Sequence, residues 1–345
     1  MYKIYSQSFN TSEYKQIVYV KEKLEIETYI IGYRAEGESI LFFIKADGII
    51  SFSGLVDCYK LDDVDKVNDI LRGNKIDQLN FICWTHPDLD HSKGLKDIIF
   101  KYASSKTAIW IPEGVDVQEI TCSKEVKELF TLLRQYTLDV SADLNVYSAS
   151  DKKDLLCYSD SICFQKDLNL FPLKITSYAP NSKIIRKQNY LDKFIKNDRS
   201  IFLVVALGSV RIYLTGDIED ESLDKIPANC FDEHIHILKI PHHGSDSSEK
   251  MLELGWNKCD VACCTVYRKG NSKLPLCNIM DQYDEMSDFL ICTGKFDKNN
   301  EACKYGMIKI TTDVVDNHYS TYLEGNAVIW NAGKANNIGV NEYVR

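Results

Sequence analysis

Four of the chain's seven histidines fall in two tight clusters, and each cluster directly follows an apolar run. The first is Thr85-His86-Pro87-Asp88-Leu89-Asp90-His91, after LNFICW, and the second is Pro241-His242-His243-Gly244-Ser245, after IHILKI. Imidazole and carboxylate are the side chains that hold divalent ions such as zinc, manganese or iron. In an extended segment residues two apart share a side, so His86, Asp88 and Asp90 can converge, with His91 approaching from the turn into a helix. A loop that only caps a helix through Asp90 or Ser92 is the plainer reading, and four candidate ligands within six residues outweigh it. Leu214-Thr215-Gly216-Asp217 adds a carboxylate just past another apolar run; alone it is a routine turn. Adjacent histidines on a regular strand face opposite ways, so one of His242 and His243 is expected as a ligand. The other then contacts a ligand or a substrate oxygen. No Gly-x-Ser-x-Gly elbow, Gly-x-x-x-x-Gly-Lys loop or His-Glu-x-x-His helix competes with this site.

Strand ends are where sheets open onto loops that can converge, so the order of elements matters. ETYIIGYRAEG, ESILFFIKADG and IISFSGLVD read as consecutive hairpin strands divided by Gly and Asp-Gly turns. DVDKVNDILRG, LKDIIFKYA and SKEVKELFTLLRQY carry apolar residues at helical spacing, the last capped near Ser123. LNFICW, TAIWIPEG, LKITSYAP, IHILKI and DVACCTV read as strands, and SIFLVVALGSVRIYLT as two strands around Gly208-Ser209. Trp84 and Trp256 read as core anchors; His234 and His236 read as surface or hydrogen-bonded residues, and His318, in DVVDNHY, as part of a turn. Residues 138–169 show weak patterning and are expected as an irregular insertion, and 181–199 is polar and basic. Hairpins followed by interleaved strands and helices predict an α/β fold: two mixed sheets packed face to face, with helices outside. One domain is expected over residues 1–325 and a surface tail over 326–345, and the last stretch, GNAVIWNAGKANNIGVNEYVR, reads as a strand and that tail.

The 345 residues, 45% of them hydrophobic and 26% charged, can bury a core without staples. With 41 basic and 50 acidic residues the net charge is −9, so any polyanion must be met by a local patch. No run approaches the ~20 apolar residues of a membrane helix, and the opening residues lack a signal-peptide layout. Twelve cysteines without a Cys-x-x-Cys pair suggest reduced, buried thiols and a cytoplasmic setting. No membrane partner is expected.

Taken in order, the motifs resemble those of metallo-β-lactamase-fold hydrolases, and within them the soluble hydrolase domain of ComEC-type competence proteins. The matching positions are Gly37-Glu38-Ser39-Ile40-Leu41, Leu55-Val56-Asp57, His86-Pro87-Asp88-Leu89-Asp90-His91, Asn197-Asp198-Arg199-Ser200, Leu214-Thr215-Gly216-Asp217 and Lys239-Ile240-Pro241-His242-His243-Gly244-Ser245. The resemblance spans roughly residues 25 to 312, and the ordered set is more specific than any single motif. The chain departs from the pattern at Leu274-Pro275, where the family often has His-Pro, and at Ser92-Lys93-Gly94, where it has two glycines. The resemblance implies an αββα sandwich and a site for two divalent ions, zinc or manganese. Asp90, His91 and one of the paired histidines, taken as His242, would hold one ion. His86, Asp88 and Asp198 would hold the other, with Asp217 bridging. Asp90 would also orient the attacking oxygen, and His243 or Ser245 would donate to the developing oxyanion.

The expected activity is therefore a metal-dependent phosphodiesterase or nuclease acting on nucleic acid or a nucleotide. Lys187, Lys193, Lys196 and Arg199 in the basic stretch would contact phosphates. Two other readings fit the same residues. One is a hydrolase of a small ester, lactone, thioester or amide, which needs an apolar pocket. The other is a non-catalytic, metal-stabilised module of a defence or competence system, with a protein partner; a charge run alone more often marks a solvated face.

Overall fold

The computed structural model describes residues 14–115, 122–138, 144–157, 160–191, 193–294 and 303–330, together with the backbone of 343–344. The chain opens with strand β1 (Gln16–Tyr19) and then a meander of β2 (Leu24–Gly32), β3 (Glu38–Ala46) and β4 (Ile49–Val56). Helix α1 (Lys66–Gly73) leads to β5 (Phe81–Cys83), the helical turn α2 (Leu89–Ser92), α3 (Leu95–Tyr102) and β6 (Ala108–Pro112). After α4 (Lys124–Leu138) come β7 (Asn145–Ala149), β8 (Lys153–Asp154), β9 (Ile162–Lys166), β10 (Asn169–Ala179) and α5 (Ser182–Tyr190). Next follow β11 (Phe202–Leu207), β12 (Val210–Leu214), the turn α6 (Asp220–Leu223), β13 (Ile237–Lys239), β14 (Cys259–Cys264) and α7 (Cys277–Glu285). The last elements are β15 (Ser287–Cys292), β16 (Gly306–Asp313), β17 (Tyr319–Gly325), β18 (Val328–Ile329) and β19 (Tyr343–Val344).

Two mixed sheets result. One runs β1-β9-β10-β11-β12-β13-β14-β15-β18, with β8 paired to β10, and the other runs β19-β17-β16-β2-β3-β4-β5-β6-β7. Period-two alternation decides which side chains meet between them. Ile40, Phe42 and Ile44 of β3 enter one core with Leu203, Val205 and Leu207 of β11. Leu41 and Phe43 point the other way, into a cluster with Val67, Ile98, Ile99, Leu129 and Leu133 of the helices. Leu238, Ala262, Cys264 and Leu290 face outward from the other sheet onto Ile279, Met280 and Tyr283 of α7. The fold is thus the expected αββα sandwich. In β4-β5-β6-β7 and in β12-β13-β14-β15 neighbouring strands run parallel, so the loops that leave their carboxyl ends gather at common edges.

One stretch differs from the sequence reading, and two others gain detail. Residues 138–169 are not irregular throughout: β7 extends one sheet and β9 the other, where it pairs with β1. β7 and β8 are only partly buried, which blurs the alternation that marks a strand. The basic stretch contains helix α5, capped by the Asn181 side chain, which accepts from the Lys183 amide at 3.0 Å. The strand expected in the last stretch is β18, antiparallel to β15 and followed by buried Trp330; of the expected surface tail, residues 331–342 lie outside the described residues.

Candidate metal centre

The loop after β5 leaves the sheet at Trp84, whose indole donates to the Ser92 hydroxyl at 2.9 Å and so ties the loop to α2. Asp88, in extended conformation, is the N-cap residue of α2. Asp90 therefore sits on a helical turn and not on the extended run expected for it, His91 lies at the turn into a helix as expected, and the turn swings both inward. Across from them Asp217 follows Gly216, whose φ of +55° is a left-handed conformation. A Cβ at Gly216 would lie 2.4 Å from Ser200 Oγ, the same hydroxyl that accepts from the Asp217 amide at 3.0 Å. Only glycine fits there.

The paired histidines occupy left-handed backbone as well: His242 at φ 44°, ψ 46° and His243 at φ 54°, ψ 24°, followed by Gly244 at φ 76°. This tight reversal sends the two rings in different directions. His243 is buried and joins Asp90, His91 and Asp217 in a group whose ligand atoms all lie within 4.8 Å of one another. His242 turns outward, with Nδ1 2.9 Å from the Ser247 hydroxyl and 3.2 Å from a Glu219 oxygen. His243, and not His242, the histidine taken as the ligand, thus stands in the cluster. A strand-based reading could not foresee the left-handed turn that decides it.

Asp217 Oδ2 is the hub. It stands 3.3 Å from His91 Nε2, 3.3 Å from His243 Nε2 and 3.7 Å from His86 Nε2. Asp90 Oδ2 lies 3.5 Å from His91 Nε2 and 3.4 Å from His243 Nε2, and Asp88 Oδ2 lies 3.6 Å from His86 Nε2. None of the three buried Nε2 atoms has a hydrogen-bond partner among the described residues.

The opposite ring nitrogens settle the tautomers. His91 Nδ1 is 2.7 Å from Asp57 Oδ2; an ionised carboxylate only accepts, so Nδ1 carries the proton. The Thr85 hydroxyl donates to the same Asp57 oxygen at 2.5 Å, which leaves it to accept from His86 Nδ1 at 3.0 Å. The Thr265 hydroxyl donates to Glu38 Oε2 and accepts from His243 Nδ1 at 2.9 Å. In the neutral rings all three Nε2 lone pairs then face the carboxylates.

Charge tells the same story. Glu38, Asp57, Asp90 and Asp217 are buried carboxylates, and among the described residues the one buried ammonium beside them is Lys239, 2.9 Å from Glu38 and 3.7 Å from Asp217. Burial alone would raise the Asp217 carboxyl, but the His243 and His91 rings outweigh it and hold Asp217 well below the carboxylate range. Asp90 is likewise drawn down to about 2, burial being overcome by His91 and His243. Burial would lower the two imidazoles. Asp217 and its fellow carboxylates instead raise His91 well above its ordinary value and push His243 to about 10. His86, by contrast, is lowered by burial and by the neighbouring His91. The cluster thus draws in positive charge, as protons or as divalent cations. His86, Asp88, Asp90, His91, Asp217 and His243 offer nitrogen and carboxylate donors suited to such ions.

Several expected site residues lie elsewhere. Asp198 is buried on a 3-10 turn, where Oδ2 accepts from the Gln188 amide at 2.7 Å. Burial, with Glu221 and Glu219, pushes its carboxyl up to about 6. Arg199 is fully buried, donates to Gln188 and Asn189, and lies 4.5 Å from the Phe194 ring centre, so its guanidinium braces the loop rather than facing a ligand. Ser245 caps the following 3-10 helix, accepting from the Ser247 amide. Lys187 is exposed and pairs with Glu221 at 2.6 Å, and Lys193 is exposed on the connecting loop. Only Lys196 reaches the cluster, where its ammonium bonds Asp88 Oδ1.

The sequence reading gave no role to Glu38, Asp57, Thr85, Glu219, Lys239 or Thr265. A signal existed for Glu38, Asp57 and Lys239: each is a charge at the very end of an apolar strand. Elsewhere, His234, His236 and Asp260 also lie close together. There His236 Nδ1 accepts from the Arg211 amide at 3.2 Å, which leaves the proton on Nε2, while His234 bonds Asp260 at 2.9 Å, a hydrogen-bonded arrangement as expected.

No family model and no curated protein matches the chain. Among solved structures it is similar to one described as the crystal structure of a new diphosphatase from the PhnP family. The two share 12% identity over 68% of this chain and 85% of that one, with a TM-score of 0.34. Among the described residues no helix is long and apolar enough to cross a membrane.

Proposed function

We propose that this chain is a metal-dependent hydrolase, and that its substrate is a phosphodiester of a nucleic acid or nucleotide. The observation that carries the reading is the set of three buried imidazoles whose protons are held on Nδ1, so that three unpartnered Nε2 lone pairs surround Asp217 Oδ2. Such an arrangement repels itself unless cations enter it. His91, His243 and Asp90 would hold one divalent ion and His86 with Asp88 a second, with Asp217 between them. Two such ions, when bound, acidify water and polarise a phosphoryl or carbonyl oxygen. Four of these donors are carboxylate or imidazole groups from α2 and the loop before it, and the oxygen-rich set makes manganese a competitor to zinc.

The chain's own side chains supply the rest. Asp57 and Thr85 hold His91 and His86 in the ligating tautomer, and Thr265 does the same for His243. Asp90 orients the attacking water toward the substrate. At the rim Lys196, bonded to Asp88, places positive charge where a phosphate would approach. That charged rim favours a phosphodiester over a small ester, lactone or amide.

The test is turnover by purified protein reloaded with Mn²⁺ or Zn²⁺ on single- and double-stranded DNA, RNA and cyclic dinucleotides, with a lactone and a β-lactam alongside. Phosphodiester cleavage that a chelator stops is the expected result. Turnover of the lactone or β-lactam alone would replace the substrate assignment. Metal binding without turnover of any of them would favour a non-catalytic module.

A further inference from the structure

Glu38 and Lys239 form an ion pair between the two sheets, with both side chains fully buried. Glu38 opens β3 in one sheet and Lys239 closes β13 in the other, and their charged atoms are 2.9 Å apart. A buried pair of this kind adds little net stability, because desolvation offsets most of the attraction, and a registering role is its best-attested use. The candidate ligands divide between the same two sheets. His86, Asp90 and His91 hang from the loop after β5, whereas Asp217 and His243 follow β12 and β13. Any slip between the sheets would therefore separate Asp217 and His243 from His86, Asp90 and His91.

The pair touches both halves. Lys239 Nζ stands 3.7 Å from Asp217 Oδ1 and 2.9 Å from Glu38, so it draws one Asp217 oxygen away and leaves Oδ2 toward the imidazoles. Glu38 Oε2 accepts the Thr265 hydroxyl, which in turn accepts from His243 Nδ1 at 2.9 Å. Glu38 Oε1 lies 3.8 Å from His91 Nδ1, on the half of the site that Glu38's own sheet carries. Donors and acceptors along this chain are compatible with one proton arrangement only: Lys239 gives to Glu38, Thr265 gives to Glu38, and His243 gives to Thr265.

We propose that Glu38 and Lys239 are positioning residues that lock the sheets in the register at which ligands from both halves meet. They act on Asp217 directly and on His243 by way of Thr265. This inference rests on the metal-centre reading above.

The experiment compares wild type with the double variant Glu38→Gln/Lys239→Met, which removes both charges together and leaves neither one buried alone. Thermal melts report folding, and titration with Co²⁺ reports affinity and, through its visible absorption, coordination geometry. The expected outcome is a cooperatively folded double variant whose Co²⁺ affinity falls roughly 10–100-fold with a changed spectrum. Wild-type affinity and spectrum in the folded double variant would overturn the proposal. If the double variant does not fold, Thr265→Val and Thr265→Ser decide: affinity lost in the first and restored in the second supports the relay, and unchanged affinity in Thr265→Val overturns it. Wild type that takes up no Co²⁺ would instead overturn the metal-centre reading.

Discussion

Asp57→Asn is the cleanest perturbation of the proposed centre. Asp57 has a φ of 56°, a left-handed conformation that asparagine tolerates well, so the backbone has no reason to move. The carboxylate accepts from three donors: the Thr85 amide at 2.7 Å, the Thr85 hydroxyl at 2.5 Å and His91 Nδ1 at 2.7 Å. An amide offers one acceptor oxygen and one NH2 group that can only donate. Whichever way it turns, a donor faces a donor. If the NH2 meets His91, the ring must move its proton to Nε2, and the lone pair aimed at Asp217 is lost. Loss of such an outer-shell partner weakens metal binding about 10–100-fold, or about 1.4–2.7 kcal/mol. A buried donor left without an acceptor costs a further ~1–3 kcal/mol of fold stability. Calorimetric titration of Zn²⁺ or Mn²⁺ into chelator-treated protein measures the first effect and thermal melting the second. Wild-type metal affinity in Asp57→Asn would refute the tautomer argument.

Three further outcomes follow from the charges. Ion uptake displaces protons that the carboxylates hold on His91 and His243, the latter at about 10, so affinity should rise with pH and binding should release protons. Titrations in buffers of different ionisation heat check this, and binding without proton release would contradict it. In chelated protein the His243 imidazolium contributes stability that is complete below the ordinary histidine value of ~6.5 and lost as pH rises through the raised one. Melts with excess chelator should therefore show a lower Tm at alkaline than at mildly acidic pH; a flat profile would count against the charge balance described. Lys196→Ala should raise KM for a phosphodiester several-fold, leave kcat nearly unchanged and reduce the salt slope of binding by about one. Unchanged KM and salt slope would remove Lys196 from the substrate path.

How much of this was legible depends on the residue. The meander β2-β3-β4 could be read because each strand alternates between two buried faces or runs apolar between turn signals. β7 and β8 could not, because their half-exposed side chains carry no clean period. His86, Asp90, His91 and Asp217 were visible as polar groups packed directly after strands. Which paired histidine turns inward was not, since a left-handed backbone at two non-glycine residues is imposed by tertiary structure rather than by local preference. Asp198 was expected at the site from the resemblance and Arg199 for its charge, yet Gln188 holds both in a buried network beneath α5. A contact ten residues away leaves no mark in spacing alone. Glu38 and Lys239 could have been singled out as charges abutting fully apolar strands, but only the packing of sheet on sheet brings them together.

Elemental analysis of the purified chain, before and after reloading with Zn²⁺ and Mn²⁺, addresses the centre most directly. Roughly two divalent ions per chain are expected, falling sharply in Asp217→Ala while the variant still melts cooperatively. Wild-type protein that retains no divalent ion under any loading condition would contradict the proposed chemistry at its root.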